Sequence, residues 1–242
     1  MPTEGLVTRV LKAIFLWRIA FFIGSKMKMK VLVLVNGNLY QPAKLRKRVQ
    51  AENFDMVIGA DRGARHARTL RVGLAAVIGD LDSLTAAEDD CLNGCKLITF
   101  PAGKDETDLE LALLYARDQG AERIVLVGVM GGRMDMAIGN ILLINHAELE
   151  PCRVEIWHGT QTGWIIRPPG EEIRGRAGDT LSLLPLGGEA SGINTEGLRY
   201  PLDNGALACG AVRGISNLML TNSAAVRLKA GRLLAVHTPG RA

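Results

Sequence analysis

The sharpest chemistry in the chain lies in Ala75-Ala76-Val77-Ile78-Gly79-Asp80-Leu81-Asp82-Ser83. A short apolar run ends at a glycine, and two aspartates follow two residues apart. The run is too short for a helix and is bounded by Gly79, so it reads as a buried strand. Extension past Gly79 places Asp80 and Asp82 on one side. Two carboxylates aimed together repel each other unless a cation lies between them. Oxygen-only ligands of this kind suit Mg²⁺, which takes one or two carboxylates together with substrate phosphates. Taken alone, the pair reads equally well as a polar loop, since Asp is common there.

The elements around this stretch decide between the two. Val31–Val35 reads as a buried strand that ends in the turn Asn36-Gly37-Asn38. A short basic helix over Leu45–Glu52 leads to a second strand, Asp55–Ala60, which ends at Asp61-Arg62-Gly63-Ala64. Ala64–Leu70 reads as a helix, and Lys96–Phe100 as a fourth strand closed by Pro101. A helix over Asp108–Gln119 stops at Gly120, and a fifth strand, Arg123–Val129, runs into Met130-Gly131-Gly132-Arg133. A further helix spans Ile138–Leu149. Strands alternating with helices imply right-handed crossovers and a parallel sheet covered on both faces. Ligands of such sheets bind outside the carboxyl ends of the strands. Asp61, Asp80 and Asp82, the run Lys104-Asp105-Glu106-Thr107-Asp108, and Gly131-Gly132-Arg133-Met134-Asp135 all fall there. Four strand ends with this chemistry favour a site over four unrelated loops. Thr107 and Glu110 also match a capping box, which makes both architectural first and leaves Asp108 in the first helical turn.

After Pro151 the texture changes to short β-like segments: Arg153–Trp157, Gly163–Arg167, Thr180–Pro185, Gly197–Pro201, Ala206–Val212, Ser223–Leu228 and Leu233–His237. Turn signals separate them, as in an antiparallel sandwich. The chain therefore divides into an extension (1–29), an α/β domain with a Rossmann-like parallel sheet (30–150) and a C-terminal antiparallel β-sandwich domain (151–242).

Composition narrows the partners. The chain has 242 residues, 48% apolar, 22% charged and only 5% aromatic, with net charge +4. Arg46, Lys47 and Arg48 cluster, but no aromatics interleave with them as in a nucleic-acid groove. A phosphorylated small molecule accounts for the mild positive excess. The four cysteines (Cys91, Cys95, Cys152, Cys209) fit neither a zinc site nor a disulfide framework, and point to a reduced, cytoplasmic protein. In the extension, Leu6–Gly24 is apolar but interrupted by Arg9, Lys12 and Arg18, a poor membrane span with no stable insertion expected. It could be a basic amphipathic surface helix or a weak signal peptide. A natural start at Met27 or Met29 fits best, because a strand begins at Val31.

Taken in order, the motifs resemble the thiamine pyrophosphokinase family. They are Ala60-Asp61-Arg62-Gly63-Ala64, Gly79-Asp80-Leu81-Asp82-Ser83, Lys104-Asp105-Glu106-Thr107-Asp108, Gly131-Gly132-Arg133-Met134-Asp135, Gly197-Leu198-Arg199-Tyr200-Pro201-Leu202 and Gly214-Ile215-Ser216-Asn217. The resemblance implies an ATP-binding α/β domain, a β-sandwich that helps bind thiamine, and a homodimer with active sites at the interface. It implies transfer of the β,γ-pyrophosphoryl group of ATP to the thiamine hydroxyl, releasing AMP. Asp61, Asp80, Asp82 and Asp108 would then gather Mg²⁺ on the phosphates, and one of them not on the metal would take the hydroxyl proton. Asn36, Gly63, Lys104, Asp105, Thr107 and Arg133 would contact ATP. Asp135 would orient nucleotide or thiamine, and Ser216 and Asn217 would contact thiamine. The plain alternatives are an ion pair of Arg133 with Asp135 or Glu155, and an ordinary turn at Ser216-Asn217. The chain departs from the family pattern at Arg62, Met136 and Leu218, and carries no aromatic near its C-terminus. Two further readings follow: the same chemistry on another hydroxymethyl heterocycle of pteridine type, and a non-catalytic nucleotide sensor.

Overall fold

A computed structural model of the chain describes residues 29–79, 94–100 and 105–240. Asp80, Asp82, Lys104 and Cys91 lie outside the described residues, as does the extension up to residue 28. Six parallel strands form the first half: β1 (Met29–Leu34), β2 (Met56–Ala60), β3 (Ala76–Gly79), β4 (Lys96–Thr99), β5 (Ala121–Val127) and β6 (Arg153–His158). They stand side by side in the order β4-β3-β2-β1-β5-β6. The chain winds outward from β1 through β4, then returns to place β5 on the other flank of β1. The order thus reverses between β1 and β5, and a crevice opens at the strand ends there.

Helices cover both faces, as the unbroken apolar texture of the strands requires. Helix α1 (Pro42–Glu52) and helix α2 (His66–Leu70) bury Leu45, Val49, Ala67 and Leu70 against Leu32, Leu34, Val125 and Val127. Helix α3 (Asp108–Asp118) buries Leu109, Ala112, Leu113 and Ala116, one stripe at helical spacing, against Val31, Val33, Ile58 and Ile78. Helix α4 (Met134–Leu143) is different. Asn140 is its one buried residue, and Met134, Met136, Ile138 and Leu142 are exposed.

The second half continues the same sheet. Its strands are β7 (Gln161–Ile166), β8 (Gly170–Arg174), β9 (Thr180–Pro185), β10 (Ala190–Glu196), β11 (Gly205–Leu207), β12 (Asn217–Leu218), β13 (Ser223–Arg227) and β14 (Leu233–Thr238). β7 pairs antiparallel with β6, and β14, β9 and β12 follow outward, giving ten strands in one sheet. A second, four-stranded sheet, β11-β10-β13-β8, packs on this extension through Ile166, Leu181, Leu183 and Leu233 against Ile173, Ile193, Leu207 and Val226. The result is an α/β sheet fused edge to edge with a β-sandwich.

Several boundaries differ from the sequence reading. Arg153–Trp157, grouped there with the antiparallel segments, is a parallel partner of β5. The helix expected over 138–149 begins at Met134 and ends at Leu143, with a 3-10 turn over Ala147–Leu149. The expected strand at Gly197–Pro201 is a loop, because Gly197 sits at φ 71° and the strand lies just before it in β10. Ser191, Gly192 and Asn194 hide the alternation that marks β10. The segment 206–212 is strand only to Leu207. β8 follows so closely on Pro168-Pro169 that those turn signals mask it.

Candidate active site

A cavity of ≈ 280 Å³ opens where the strand order reverses. Its walls come from three strand ends and one helix start: Val35–Gly37 after β1, Ala60 and Asp61 at the end of β2, Val129 with Gly131–Arg133 after β5, and Thr107–Leu109 at the start of α3. Met136 and Asn140 of α4 complete it.

Asp61 and Asp108 converge at its floor around Gly79. A Cβ at Gly79 would lie 3.3 Å from the Asp61 Cβ and 3.4 Å from the Asp108 carboxyl carbon. Any larger residue would intrude between the two acids. Asp61 occupies the left-handed region at φ 47°, unusual for a non-glycine residue and of the kind that collects at functional sites. The turn that follows needs Gly63, where a Cβ would sit 2.1 Å from the Leu34 carbonyl oxygen. Gly63 is thus buried behind the cavity and fixes how closely the Asp61 turn approaches β1.

Thr107 is the N-cap of α3, its Oγ1 accepting from the Glu110 N–H at 3.2 Å, as the capping box requires. The cap presents Asp108 in the first turn, where the helix dipole favours its charge. Asn36 lies in the rim of the cavity and is exposed. Asp105 is exposed and outside the lining. Arg133 lines the cavity but is paired with Asp135, Nη2 to Oδ2 at 2.5 Å and Nε to Oδ1 at 3.1 Å. Its partner in the open alternatives is therefore Asp135 rather than Glu155. Asp135 also accepts from the Met136 N–H and faces a neighbouring groove with Glu110 and His146. The guanidinium holds the Asp135 carboxyl below its ordinary range.

Ser216 and Asn217 lie elsewhere. Asn217 lines a second cavity of ≈ 330 Å³ with Leu183, Tyr200, Pro201, Arg213 and Ile215. Its amide is spent on the protein: Oδ1 accepts from the N–H groups of Tyr200 and Leu218, and Nδ2 donates to the Tyr200 carbonyl at 2.7 Å. Ser216 sits at φ 61°, its N–H donating to the Ser182 hydroxyl. Six strand spacings separate β12 from β1 in the sheet, roughly 29 Å at about 4.8 Å each.

Two residues escaped the sequence reading of the first cavity. Asn140 is a buried amide in its wall, donating to the Val129 carbonyl at 3.2 Å. The one polar side chain in the apolar stretch 136–143 was the available signal. His66 is buried behind the rim, and nothing in its sequence neighbourhood sets it apart. Trp157 and Trp164 are buried packing residues, in line with their reading as core.

The Mg²⁺ reading can be tested on the chemistry of the donors. Among the described residues no three His, Cys, Asp or Glu side chains are grouped to hold a metal. Two carboxylates converging at a glycine match the needs of Mg²⁺, which takes few protein ligands and completes its shell with phosphates and water.

A parallel sheet whose strand order reverses beside two carboxylates defines the class of doubly wound α/β proteins, which bind ligands at that crevice. Comparison narrows the class. The family model described as "Thiamin pyrophosphokinase, catalytic domain" matches residues 48–156, and "Thiamin pyrophosphokinase, vitamin B1 binding domain" matches residues 166–233. The chain is 28% identical over 187 residues to a thiamine pyrophosphokinase of Bacillus subtilis, covering 75% of this chain and 86% of that protein. It is 27% identical over 156 residues to thiamine pyrophosphokinase 1 of Arabidopsis thaliana, covering 58% of this chain and 57% of that protein. The fold matches the crystal structure of the Bacillus subtilis enzyme with TM-score 0.76, at 21% identity over 87% of this chain and 99% of that one. Yeast thiamin pyrophosphokinase gives TM-score 0.71 at 16% identity, over 89% and 87%. The chain belongs to the thiamin pyrophosphokinase family.

Proposed function

We propose that the protein transfers the β,γ-pyrophosphoryl group of ATP to the hydroxyl of thiamine, giving thiamine diphosphate and AMP. The observation that carries this is the convergence of Asp61 and Asp108 at the crevice between β1 and β5, in a chain whose two halves match the family's catalytic and vitamin-binding domains. Transfer of this kind needs charge neutralisation and in-line placement more than covalent help. Asp61 and Asp108, with Asp80 and Asp82 following β3, would hold Mg²⁺. The metal supplies neutralisation of the phosphate charge. Asn36 and the start of α3 would receive phosphate oxygens at the rim, and Arg133 would exchange Asp135 for phosphate. Lys104 and Asp105 precede the same helix and would close that side. Thiamine would occupy the cavity beside Asn217, where Tyr200 is 63% exposed and offers a ring face.

We infer a homodimer from the same geometry. The two cavities share no lining residue and lie about six strands apart in one sheet, too far for one chain to bring ATP and thiamine into contact. A second copy that sets its Asn217 cavity over this Asp61 cavity would complete the site. The exposed Met134, Met136, Ile138 and Leu142 of α4, next to the first cavity, are the kind of surface such a contact buries. The described cysteines, Cys95, Cys152 and Cys209, are unpaired, which suits a reducing cytoplasm. No described helix is long and apolar enough to cross a membrane.

The test is AMP release from ATP and Mg²⁺ with and without thiamine, with product masses recorded. Thiamine-dependent AMP and a product heavier by one pyrophosphoryl group are expected. ADP as product, or AMP release indifferent to thiamine, would overturn the assignment. Exposed Met136 in the cavity wall motivates the second reading, a pteridine-type acceptor, and the same assay with that acceptor distinguishes it.

A further inference from the structure

We propose that His66 is a positioning residue for the nucleotide. It holds the Gly37 carbonyl away from the phosphate site, so that the β1 loop offers the polyphosphate the Asn36 N–H and not an oxygen. The proposal rests on the reading of the first cavity as the ATP site.

The loop after β1 is short and its polar groups can be followed one by one. The N–H groups of Val35, Gly37 and Asn38 donate to the carbonyls of Val127, Gly128 and Met130 at 2.9, 2.7 and 2.7 Å, extending the ladder to β5. The Asn36 N–H has no backbone partner among the described residues. The carbonyls turn the other way. The Gly37 oxygen accepts from His66 Nε2 at 2.8 Å and, at a long 3.5 Å, from Arg65 Nη2, which also donates to the Asn36 oxygen at 3.2 Å. Both donors come from the turn that begins with Asp61, so the two walls of the cavity are tied through two carbonyls.

The seat of the imidazole is built by backbone. Gly128, at φ 74°, would place a Cβ 3.2 Å from both Cδ2 and Nε2 of His66. At Gly37 a Cβ would lie 2.3 Å from the Gly128 oxygen. The ring is 8% exposed. Burial, with the nearby Arg65 cation, lowers its pKa against the two backbone hydrogen bonds that raise it, so at neutral pH it is an uncharged ring. A neutral imidazole has one N–H, and a carbonyl partner at Nε2 places it there. Carbonyl dipoles directed at a triphosphate are repulsive, and a preorganised donor array needs them directed elsewhere.

The test compares His66→Phe, which fills the space with no donor, and His66→Gln, whose amide N–H can reach the same carbonyl. Mg·ATP affinity is measured by calorimetry on each full-length protein, and KM for ATP and for thiamine by AMP release. His66→Phe is expected to weaken ATP on the order of tenfold, the range of one lost hydrogen bond, with KM for thiamine unchanged. His66→Gln is expected to recover most of that loss. Unchanged ATP affinity in His66→Phe, a parallel rise in both KM values, or no recovery with Gln would overturn the proposal. Wild-type protein that binds ATP without thiamine-dependent AMP release would defeat the functional reading alone, and the affinity ratio would still decide the role of His66. Wild-type protein with no ATP affinity would overturn both.

Discussion

The two cavities solve opposite problems. At the crevice between β1 and β5, like charges converge: Asp61 and Asp108 meet at Gly79, one of them on a strained backbone. On the function proposed above, a cation and a polyanion are what this site takes. At β12 two of the lining polar side chains, Asn217 and Thr195, are already satisfied by the protein. Asn217 is spent on Tyr200 and Leu218, and Thr195 Oγ1 accepts from the Leu202 N–H. That cavity offers its shape, the exposed Tyr200 and the exposed Arg213 side chain. The difference teaches how to separate the roles: the first site should fail in chemistry when altered, the second in binding and in stability.

Asp61→Asn is expected to give the largest effect, a loss of kcat on the order of 10²–10³-fold, the scale of removing one preorganised charge from a transition state. Tyr200→Ala should instead raise KM for thiamine and leave ATP affinity alone. Mixing the two inactive or weakened variants sharpens the comparison. If the cavities meet across two chains, each mixed dimer contains one intact site, and activity returns on subunit exchange. No recovery in dimers shown to be mixed would mean that the sites do not pair in this way.

The same contrast explains what could be read in the sequence. The parallel sheet was legible because β1, β2, β3 and β5 each carry a short apolar run, over 31–35, 56–60, 75–78 and 124–127, that stops at Asn36, Asp61, Gly79 and Gly128. The first site was legible because a crevice binds at those ends whatever the loops do. Asp61, Asp108, Asn36, Thr107 and Arg133 do share one cavity. Gly63 was read as an ATP contact; in the fold it is outside the cavity lining, where a Cβ would strike the Leu34 carbonyl. His66 and Asn140 were not legible, because their roles depend on which carbonyl lies beside them after folding. In the second half, β8 and β10 were lost to glycine and proline, whose turn signals outweighed weak alternation. The continuity of the sheet through β6 could not be read either, since a strand paired parallel on one side and antiparallel on the other has no distinct pattern.

Glu155 on β6 tests the seam between the two regions. It is buried, and burial pushes its carboxyl up. Hydrogen bonds and charge from Arg123, then Arg153, and a bond from the Trp157 indole outweigh this and leave it below the ordinary value. Arg153 reaches on to Glu171 of β8 in the second sheet, so the network joins both halves. A depressed carboxylate stabilises the fold above its unfolded pKa, and that contribution is lost as pH falls through the folded value. Glu155→Gln should therefore cost about 2 kcal/mol at neutral pH. The gap to wild type should close as pH drops below the ordinary glutamate range, followed by denaturant melts across pH. A gap independent of pH would show that the seam is held by shape alone. Asn217→Ala should cost somewhat less, about 1–2 kcal/mol for its lost hydrogen bonds, and should raise KM for thiamine selectively.

Arg133→Ala should give the smallest effect, and it probes the first site at its least built point. The guanidinium is three-quarters exposed and its carboxylate partner is nearly as open, so water and salt screen the pair. Breaking it should leave the melting temperature unchanged. Asp135 would keep its bond from the Met136 N–H, and α4 would keep its start. A phosphate, with more charge than one carboxylate, competes well for an exposed arginine that already lines the cavity. The expected signature is a modest rise in KM for ATP that shrinks as salt is added, with kcat little changed. A loss of kcat comparable to that of Asp61→Asn would place Arg133 on the transferring group itself. No change in either constant would leave the pair with Asp135 as its whole role.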